Sequence, residues 1–273
     1  MGDSVGVIGY GFVGKAVAQL EAVATAHIYD VADERYNSDL HKRKAYGADI
    51  IFINVPTDLR DGRLDISIIE SCMSDFLANK GQNVPALVIK STISPGVCRK
   101  LTSKYGVNNI VFNPEFLSQR TALADFVNQQ EVYLAGKGEY TRKVEKLYHK
   151  FFDYCGNDKA EIFKTISWEE VELLKLARNS FYGVKVSFCN YIANLCETNG
   201  IDYAKFAESF GRGEWVGAQH TRVPGSDGQY GYGGKCLPKD SIEMLNYAAE
   251  SGIVFGVLQE SIEFNKKQRR LKC

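Results

Sequence analysis

The sequence has no long apolar run, no excess of charge of one sign and no paired-cysteine motif. Its apolar stretches fall well short of the about 20 residues that a membrane-spanning helix needs, and the N-terminal MGDSVGVIGYG has neither the basic start nor the apolar stretch of a signal peptide. The 33 Lys and Arg residues balance 33 Asp and Glu residues, which gives no electrostatic case for binding nucleic acid. We therefore expect neither a membrane nor nucleic acid among the partners.

Cysteine usage points to a reducing compartment. The seven cysteines are an odd number, and no two of them have the C-x-x-C spacing. A disulfide framework and a zinc site are therefore both unexpected. We expect free thiols, no metal and a cytoplasmic location.

The first 166 residues alternate apolar runs with helix-like segments. The runs lie at 4–8, 26–30, 49–55, 86–90, 109–113, 131–136 and 161–164. Near-continuous apolar strands separated by helices are typical of a parallel sheet covered on both faces. The pattern predicts an α/β fold with a Rossmann-like domain over residues 1–166.

Residues 167–273 predict a second, mostly helical domain. A long helix is expected over 168–198, with Ser167 and Glu170 at the spacing of a capping box. A glycine-rich loop at 211–235, with eight glycines, precedes two closing helices.

A glycine motif follows the first predicted strand and opens a helix. It reads Gly9-Tyr-Gly11-Phe12-Val13-Gly14, and Asp30 ends the next strand, 21 residues after Gly9. This is the context of a dinucleotide-binding turn, although a strand-to-helix turn without a ligand has the same glycines. Asp30 would accept hydrogen bonds from the ribose hydroxyls and repel a 2′-phosphate. The motif predicts NAD over NADP, a preference that the nearby Arg35 weakens slightly.

One cysteine has an unusual setting. Cys236 lies in YGGKCLPKD, between glycines and a helix start at Pro238, with Lys235 and Lys239 beside it. A helix N-terminus and nearby lysines lower the pKa of a thiol, whereas the other cysteines have the apolar or helical contexts of packing residues. A nucleophilic thiol beside a dinucleotide site suggests oxidation of an aldehyde through a thiohemiacetal and a thioester.

Several motifs, taken in order, resemble the nucleotide-sugar 6-dehydrogenases, which act on UDP-glucose, GDP-mannose or UDP-N-acetylmannosamine. They are GVIGYGFVGKAVA, NVPTD, KSTISPG, FNPEFL, EEVELLKLARNSFYGVKVSFCN and GYGGKCLPKD. The resemblance implies oxidation of a sugar C6 alcohol to a carboxylate with two NAD and no metal. It also implies a homodimer built on the long helix, whose apolar positions are Val171, Leu174, Leu176, Phe181, Val184, Phe188 and Ile192.

The same resemblance assigns roles to individual residues. Cys236 would be the nucleophile, Lys175 and Asn179 would stabilise the oxyanion, Asp240 and Thr92 would orient water, and Glu115 would assist proton transfer or thioester hydrolysis. The cofactor would contact the glycine motif with Phe12, Val13 and Asp30, and also Val55, Pro56, Thr57, Thr92 and Lys239. The sugar would contact Glu115, Phe116, Leu117, Lys175, Asn179, Tyr232 and Gly233.

The chain departs from the family pattern at three places. Gln119 replaces an acid. Trp215-Val216-Gly217 stands where an Arg-Ile-Gly is usual, with Arg222 nearby. The C-terminal nucleotide-binding domain of longer relatives is not part of this sequence. UDP-glucose is the expected substrate of what would be either a short form of the family or a fragment of a longer member. GDP-mannose and UDP-N-acetylmannosamine remain alternatives, as does an inactive NAD-binding dimer.

Overall fold

The computed structural model describes residues 3–79, 84–164 and 167–271. The chain divides into two compact units, the first formed by Met1–Thr57 and Asp65–Lys175 and the second by Asp58–Leu64 and Leu176–Cys273. The predicted domain boundary after residue 166 lies outside the described residues, and it stays a prediction.

Short strands and longer helices follow one another along the chain. The strands are β1 (Ser4–Ile8), β2 (Thr25–Tyr29), β3 (Ile50–Ile53), β4 (Leu59–Arg60), β5 (Arg63–Leu64), β6 (Ala86–Ile89), β7 (Ile110–Phe112), β8 (Glu131–Tyr133), β9 (Ala135–Gly136) and β10 (Glu161–Phe163). The helices are α1 (Phe12–Ala18), α2 (Asp39–Tyr46), α3 (Ser67–Asn79), α4 (Val97–Tyr105), α5 (Ala122–Val127), α6 (Gly138–Cys155), α7 (Trp168–Thr198), α8 (Tyr203–Phe210), α9 (Leu237–Glu250) and α10 (Gly256–Leu271).

The first unit is built on a sheet with the strand order β2-β1-β3-β6-β7-β9. Its first five strands are parallel, and β9 pairs antiparallel with β7. The chain leaves β1 for β2 on one side and later enters β3 on the other, so the strand order reverses at β1. Ligands of open parallel sheets bind at the carboxyl ends of the strands beside such a reversal. The predicted Rossmann-like α/β architecture is confirmed.

Apolar clusters cover both faces of this sheet. Ile51 and Ile53 belong to one cluster, which includes Tyr46 of α2 and Met73 of α3. Phe52, between them in sequence, belongs to the other cluster with side chains of α1 and α6. Because successive side chains of a strand point to opposite faces, a strand buried on both faces has to be apolar throughout, as IIFI is.

The apolar pattern of EVYLAG predicted a single strand. The structure contradicts this prediction. The run divides at Leu134, whose N–H donates to the carbonyl of Phe163 at 2.8 Å. β8 consequently pairs with β10 in a separate two-stranded sheet, and β9 alone joins the main sheet. The indole N–H of Trp168 donates to the carbonyl of Ala135 at 2.9 Å, which supplies a partner for the backbone at the division.

Helix α7 begins with the predicted capping box. The Ser167 hydroxyl accepts from the N–H of Glu170 at 3.3 Å, and the Glu170 carboxylate accepts from the Ser167 N–H at 2.6 Å. Each side chain thus satisfies a backbone donor that the start of a helix leaves without a partner.

The second unit joins the rest of α7 to α8, α9, α10 and the β4–β5 hairpin. Ser187 of α7 and Ser261 of α10 share a hydrogen bond of 2.8 Å between their hydroxyls. The buried carboxylate of Glu243 on α9 accepts from the N–H of Leu64 at 2.8 Å and from Arg63 Nε at 3.1 Å. This contact explains why residues 58–64, which follow a strand of the first unit, pack with the helices of the second.

Glu172 on α7 caps another helix of the first unit. Its buried carboxylate accepts from the backbone N–H of Gly96 at 2.6 Å and of Cys98 at 2.9 Å, at the start of α4. Burial raises the pKa of Glu172 above its ordinary value, although the two N–H donors act in the opposite direction. The contact fixes the loop before α4, which carries Thr92, to helix α7.

Replacing Glu172 with alanine is expected to lower the free energy of unfolding by about 2–4 kcal/mol, because one buried and one partly buried N–H group lose their acceptor. Glu169→Ala is the matched control, since Glu169 forms only an exposed ion pair with Arg99, and such pairs contribute about 0–1 kcal/mol. Urea unfolding followed by circular dichroism measures both losses. Equal losses in the two variants would contradict the capping role.

Candidate active site

The glycine turn after β1 leaves room for a ligand at one position and none at another. A Cβ atom at Gly14 would lie 1.9 Å from the carbonyl oxygen of Gly9, so α1 can pack this closely on the turn only with glycine there. A Cβ atom at Gly11 would meet no protein atom within 4 Å. Gly11 is also the N-cap of α1, where helix N–H donors and partial positive charge favour a phosphate. The turn therefore fits a dinucleotide pyrophosphate.

Asp30 lies beside this turn, just after β2. Its carboxylate accepts from the N–H of Tyr10 at 2.5 Å and from the N–H of Ala32 at 2.7 Å. Both oxygens are held in place and retain lone pairs for further donors. Asp30 lines an open pocket of about 540 Å³ together with Tyr10, Gly11, Ala32, Asp33, Glu34 and Arg35. The arrangement suits a ribose whose hydroxyls donate to the carboxylate.

Two further loops of the first unit are tied together at the ends of β3 and β6. The Thr57 hydroxyl donates to the carbonyl of Thr92 at 2.8 Å, and the Ser91 hydroxyl donates to the carbonyl of Val55 at 2.6 Å. The structure thus brings together the predicted cofactor residues 55–57 and Thr92.

Glu115 and Lys175 meet in the interior of the first unit. The Lys175 ammonium donates to the backbone carbonyl of Glu115 and lies 3.7 Å from its Oε1. It also lies 5.0 Å from the centroid of the Phe116 ring, within cation–π range. The Glu115 carboxylate accepts from the N–H of Leu117 at 2.5 Å. An ammonium has three donors, so Lys175 can also donate to a substrate oxyanion.

Lys90 is a buried polar residue that the sequence analysis missed. Its ammonium donates to the backbone carbonyl of Asn113 at 3.1 Å and to its Oδ1 at 2.9 Å, and the Tyr148 hydroxyl lies 3.4 Å away. Lys90 therefore joins the loop that carries Thr92 to the loop that carries Glu115. A lysine directly after the apolar run ALVI was the available signal, because a buried cation there needs partners.

The glycine-rich loop before Cys236 is firmly anchored within the second unit. The N–H of Gly231 donates to Asn190 Oδ1 at 2.9 Å, and Asn265 bonds the backbone of Tyr232 on both sides, at 2.7 and 2.9 Å. A Cβ atom at Gly231 would lie 2.2 Å from Asn265 Oδ1, and one at Gly233 would lie 2.1 Å from Arg269 Nη2. The glycines serve close packing against α7 and α10.

Cys236 is the N-cap residue of α9 and is partly exposed. Pro238 lies in the first turn, as predicted, and the N–H of Asp240 donates to the carbonyl of Cys236 at 3.0 Å. The thiol thus lies at the end of the helix where partial positive charge favours a thiolate.

Asp240 is fully buried and joins two of the predicted site residues. Its Oδ2 accepts from Asn179 Nδ2 at 2.5 Å, and its Oδ1 accepts from Lys239 Nζ at 2.6 Å. The second hydrogen of the Asn179 amide stays available to a substrate oxygen. Thr92 belongs to the first unit and Asp240 to the second, and their joint action on water stays a prediction.

Gln119 and Trp215, which depart from the family pattern, and Arg222 near the second of them are on the surface. Trp215 is fully exposed, and Gln119 and Arg222 are exposed as well. Across the described ranges, no group of three or more His, Cys, Asp or Glu side chains is arranged to hold a metal ion. No helix in the described part of the chain is both long and apolar enough to cross a membrane.

Family models match most of the chain. Residues 29–152 match the NAD binding domain of the UDP-glucose/GDP-mannose dehydrogenase family, and residues 169–267 match the central domain of the same family. The first match begins after the glycine turn, so the fit of that turn to a dinucleotide is independent support for NAD as the cofactor.

Individual relatives agree with these matches. The chain is 29% identical over 231 residues to UDP-glucose 6-dehydrogenase TuaD of Bacillus subtilis, covering 81% of this chain and 47% of the relative. It is also 29% identical over 240 residues to the UDP-glucose 6-dehydrogenase of Drosophila melanogaster, covering 82% and 48%. The chain therefore spans about half the length of these curated relatives.

A solved structure shows the same fold. The UDP-glucose dehydrogenase of the archaeon Pyrobaculum islandicum superposes with a TM-score of 0.81 at 23% identity, covering 98% of this chain and 68% of that chain. At this identity the likeness establishes the fold alone.

The stability of the protein should depend on pH through Lys90. Burial lowers the pKa of Lys90 to about 7, with Lys175 adding to the decrease and Glu115 opposing it. Above pH 7 the folded chain has released a proton that the unfolded chain keeps up to the ordinary lysine pKa of about 10.4. The Lys90 contribution should therefore raise the free energy of unfolding by about 1 kcal/mol per pH unit between pH 7 and pH 9.

Lys90→Met should reduce that slope, as measured by urea unfolding at several pH values. Lys150→Met is the control, because Lys150 is exposed and pairs with Asp3 at the surface. A slope in Lys90→Met that equals the wild-type slope would mean that Lys90 is charged in the folded protein throughout this range.

Proposed function

Because the chain belongs to the UDP-glucose/GDP-mannose dehydrogenase family, we propose that it oxidises the C6 alcohol of a nucleotide-diphospho-sugar to a carboxylate with NAD as oxidant. UDP-glucose is the proposed substrate, since the curated relatives described above are UDP-glucose 6-dehydrogenases. The observation that carries the proposal is Cys236 at the N-terminus of α9, one turn before the Asp240 that holds Asn179.

The proposed reaction starts with the loss of a proton and a hydride from the C6 alcohol, which gives an aldehyde. The Cys236 thiolate adds to the aldehyde carbon and forms the oxyanion of a thiohemiacetal. Loss of a second hydride from that carbon gives a thioester. Water then attacks the thioester, the carbon–sulfur bond breaks, Cys236 leaves as the thiolate, and the carboxylate and the two protons of the water are released. When bound, NAD accepts the hydrides, one molecule for each oxidation.

The side chains around Cys236 and Glu115 have proposed roles in these steps. The Lys175 ammonium and the Asn179 amide stabilise the negative oxygen that forms at C6. Asp240 fixes the amide of Asn179, and Lys239 balances its buried charge. Glu115 accepts or returns the proton, and Thr92 orients water with Asp240. Phe116 and Leu117 of the first unit, and Tyr232 and Gly233 of the second, are each proposed to contact the sugar.

The groups that would hold NAD belong to the first unit, apart from Lys239. The glycine turn, with Phe12 and Val13 at the start of α1, receives the pyrophosphate, and Asp30 accepts from the ribose. Val55, Pro56, Thr57 and Thr92 lie on the two tied loops after β3 and β6 and are proposed to line the nicotinamide side. Lys239 pairs with Asp240. Its contact with the cofactor is also proposed.

A cytoplasmic role in polysaccharide biosynthesis follows from this chemistry. The product would be a nucleotide-activated uronic acid, which is a precursor for glycosyl transfer. A reducing compartment keeps thiols from forming disulfides, and none of the six described cysteines forms one.

We also propose a homodimer formed through α7. Phe181, Phe188 and Leu195 follow one another at intervals of seven residues and are 62%, 51% and 58% exposed. Side chains at this spacing lie along one side of a helix. Seven apolar positions were expected to form the contact. Two of them, Val171 and Leu176, are instead buried within their own chain, so the proposed contact uses fewer of these positions than predicted.

The oxidation is tested by incubating the protein with NAD and, separately, UDP-glucose, GDP-mannose and UDP-N-acetylmannosamine. The expected result is about two NADH per UDP-glucose consumed, measured by absorbance, because the full oxidation releases two hydrides. Cys236→Ser should stop formation of the carboxylate, whereas Cys155→Ser, at another partly exposed cysteine, should not. Two NADH per sugar from Cys236→Ser would end the thioester proposal. NAD binding without NADH from any sugar would favour a binding protein.

The dimer is tested by light scattering coupled to size-exclusion chromatography. Phe181→Glu combined with Phe188→Glu should halve the measured mass, because four buried charges would face one another at the contact. Glu197→Lys, an exposed change on the opposite side of α7, should leave the mass unchanged. A monomeric wild-type protein would contradict the proposal.

A further inference from the structure

Three aromatic rings of the first unit form a series of contacts that begins at the Lys175 ammonium and ends at an exposed side chain. The Phe116 ring lies with its centroid 5.0 Å from the ammonium. The ring of Tyr133 on β8 meets Phe116 edge to face, with centroids 5.9 Å apart and planes at 73°. Phe163 on β10 stacks on Tyr133, with centroids 5.0 Å apart and planes at 16°. Aromatic pairs favour these two arrangements, so each ring restricts the orientation of the next.

Tyr133 reaches Phe116 because β8 leaves the main sheet. The parallel pairing of β8 with β10 places Tyr133 directly opposite Phe163. The carbonyl of Tyr133 accepts from Asn113 Nδ2 at 2.9 Å, and its hydroxyl donates to the Glu131 carboxylate at 3.1 Å. Tyr133 is therefore fixed by its backbone, by its hydroxyl and by the stacked ring behind it.

The Lys175 ammonium ends a flexible side chain, so its position depends on the groups that it touches. It donates to the backbone carbonyl of Glu115 and lies 3.7 Å from Glu115 Oε1. The face of the Phe116 ring attracts the cation without taking one of its three N–H donors in a conventional hydrogen bond. Phe116 is itself only half-buried, and a different rotamer of Phe116 would remove the attraction. The neighbouring ring of Tyr133 opposes such a change.

We propose that Tyr133 is a positioning residue for the sugar oxidation, which holds the Phe116 ring against the Lys175 ammonium and so keeps the ammonium aligned with the oxyanion at C6. Tyr133 acts through Phe116 and Lys175 and is assigned no contact with the reacting atoms. Phe163 supports Tyr133 from the other side. The inference rests on the proposed function, in which Lys175 stabilises that oxyanion.

The test is steady-state kinetics with NAD and the nucleotide sugar that the wild-type protein oxidises. Tyr133→Leu should lower kcat about tenfold and change KM for the sugar by less than about twofold, because a misplaced ammonium fails chiefly in the transition state. Tyr133→Phe keeps the ring and should retain kcat to within about twofold of the wild-type value. Tyr154→Leu is the matched control, because Tyr154 is an exposed aromatic residue on α6, and it should leave kcat unchanged.

A double variant assigns the effect to Lys175. Lys175→Met alone should lower kcat strongly, as measured by NADH formation over long incubations. Adding Tyr133→Leu should lower kcat by less than about twofold more, because both changes act on the same ammonium. A further loss of about tenfold would overturn the proposal. Wild-type kcat in Tyr133→Leu, or an equal loss in Tyr133→Phe, would overturn it as well.

Phe163→Leu covers the case in which Tyr133→Leu disturbs the fold, which a loss of NADH affinity in a fluorescence titration would reveal. Phe163 is 38% exposed, and its replacement should lower kcat by about threefold through the weaker support of Tyr133. An unchanged kcat in Phe163→Leu would then overturn the proposal. If the wild-type protein forms no NADH with any of the sugars, the proposed function fails and this inference fails with it. Oxidation by the wild-type protein with full kcat in the variants overturns the inference alone.

Discussion

Buried polar side chains on α7 must each find a partner, and these requirements set much of the geometry of the candidate site. Glu172 takes the backbone donors at the start of α4, Lys175 takes the carbonyl of Glu115, and Asn179 takes the carboxylate of Asp240. An unpaired polar group in these positions would cost about 1–3 kcal/mol or more. Each contact therefore stabilises its own unit and at the same time fixes a loop or helix that carries a residue with a proposed chemical role.

Glycines in the turn after β1 and in the loop before Cys236 allow other protein atoms to pack directly against the backbone. At Gly14 a side chain would collide with the glycine turn after β1, and at Gly231 and Gly233 it would collide with side chains of α10. The loop before Cys236 is consequently held rigidly by Asn190 and Asn265. An anchored loop holds the thiol of Cys236, the proposed nucleophile, at the N-terminus of α9 and avoids an entropic penalty when a substrate binds.

Charge is distributed differently in the two polar clusters of the first unit. The interior cluster contains two lysines, Lys90 and Lys175, and the carboxylate of Glu115, and burial lowers the pKa of Lys90 to about 7. The surface pocket contains three acids and one arginine that is already paired. The Lys175 ammonium beside Glu115 is a donor that suits a site where an oxyanion forms, and an excess of negative charge suits one that accepts a neutral ribose and rejects a phosphate.

The sequence by itself determined the features that depend on neighbours along the chain. The first strand and its glycine turn, the apolar runs buried on both faces of the sheet, the Ser167–Glu170 capping box and the helix start at Pro238 were all readable, because periodicity, caps and turns are local. The motifs also identified the candidate nucleophile and the family to which the chain belongs.

Only the tertiary structure decided which distant groups meet. It divided EVYLAG between two sheets, joined residues 58–64 to α9 through Glu243, placed Lys90 between two loops and paired Asp240 with Asn179. Each of these depends on how a buried group is satisfied by residues far away in sequence, and no local pattern specifies that partner.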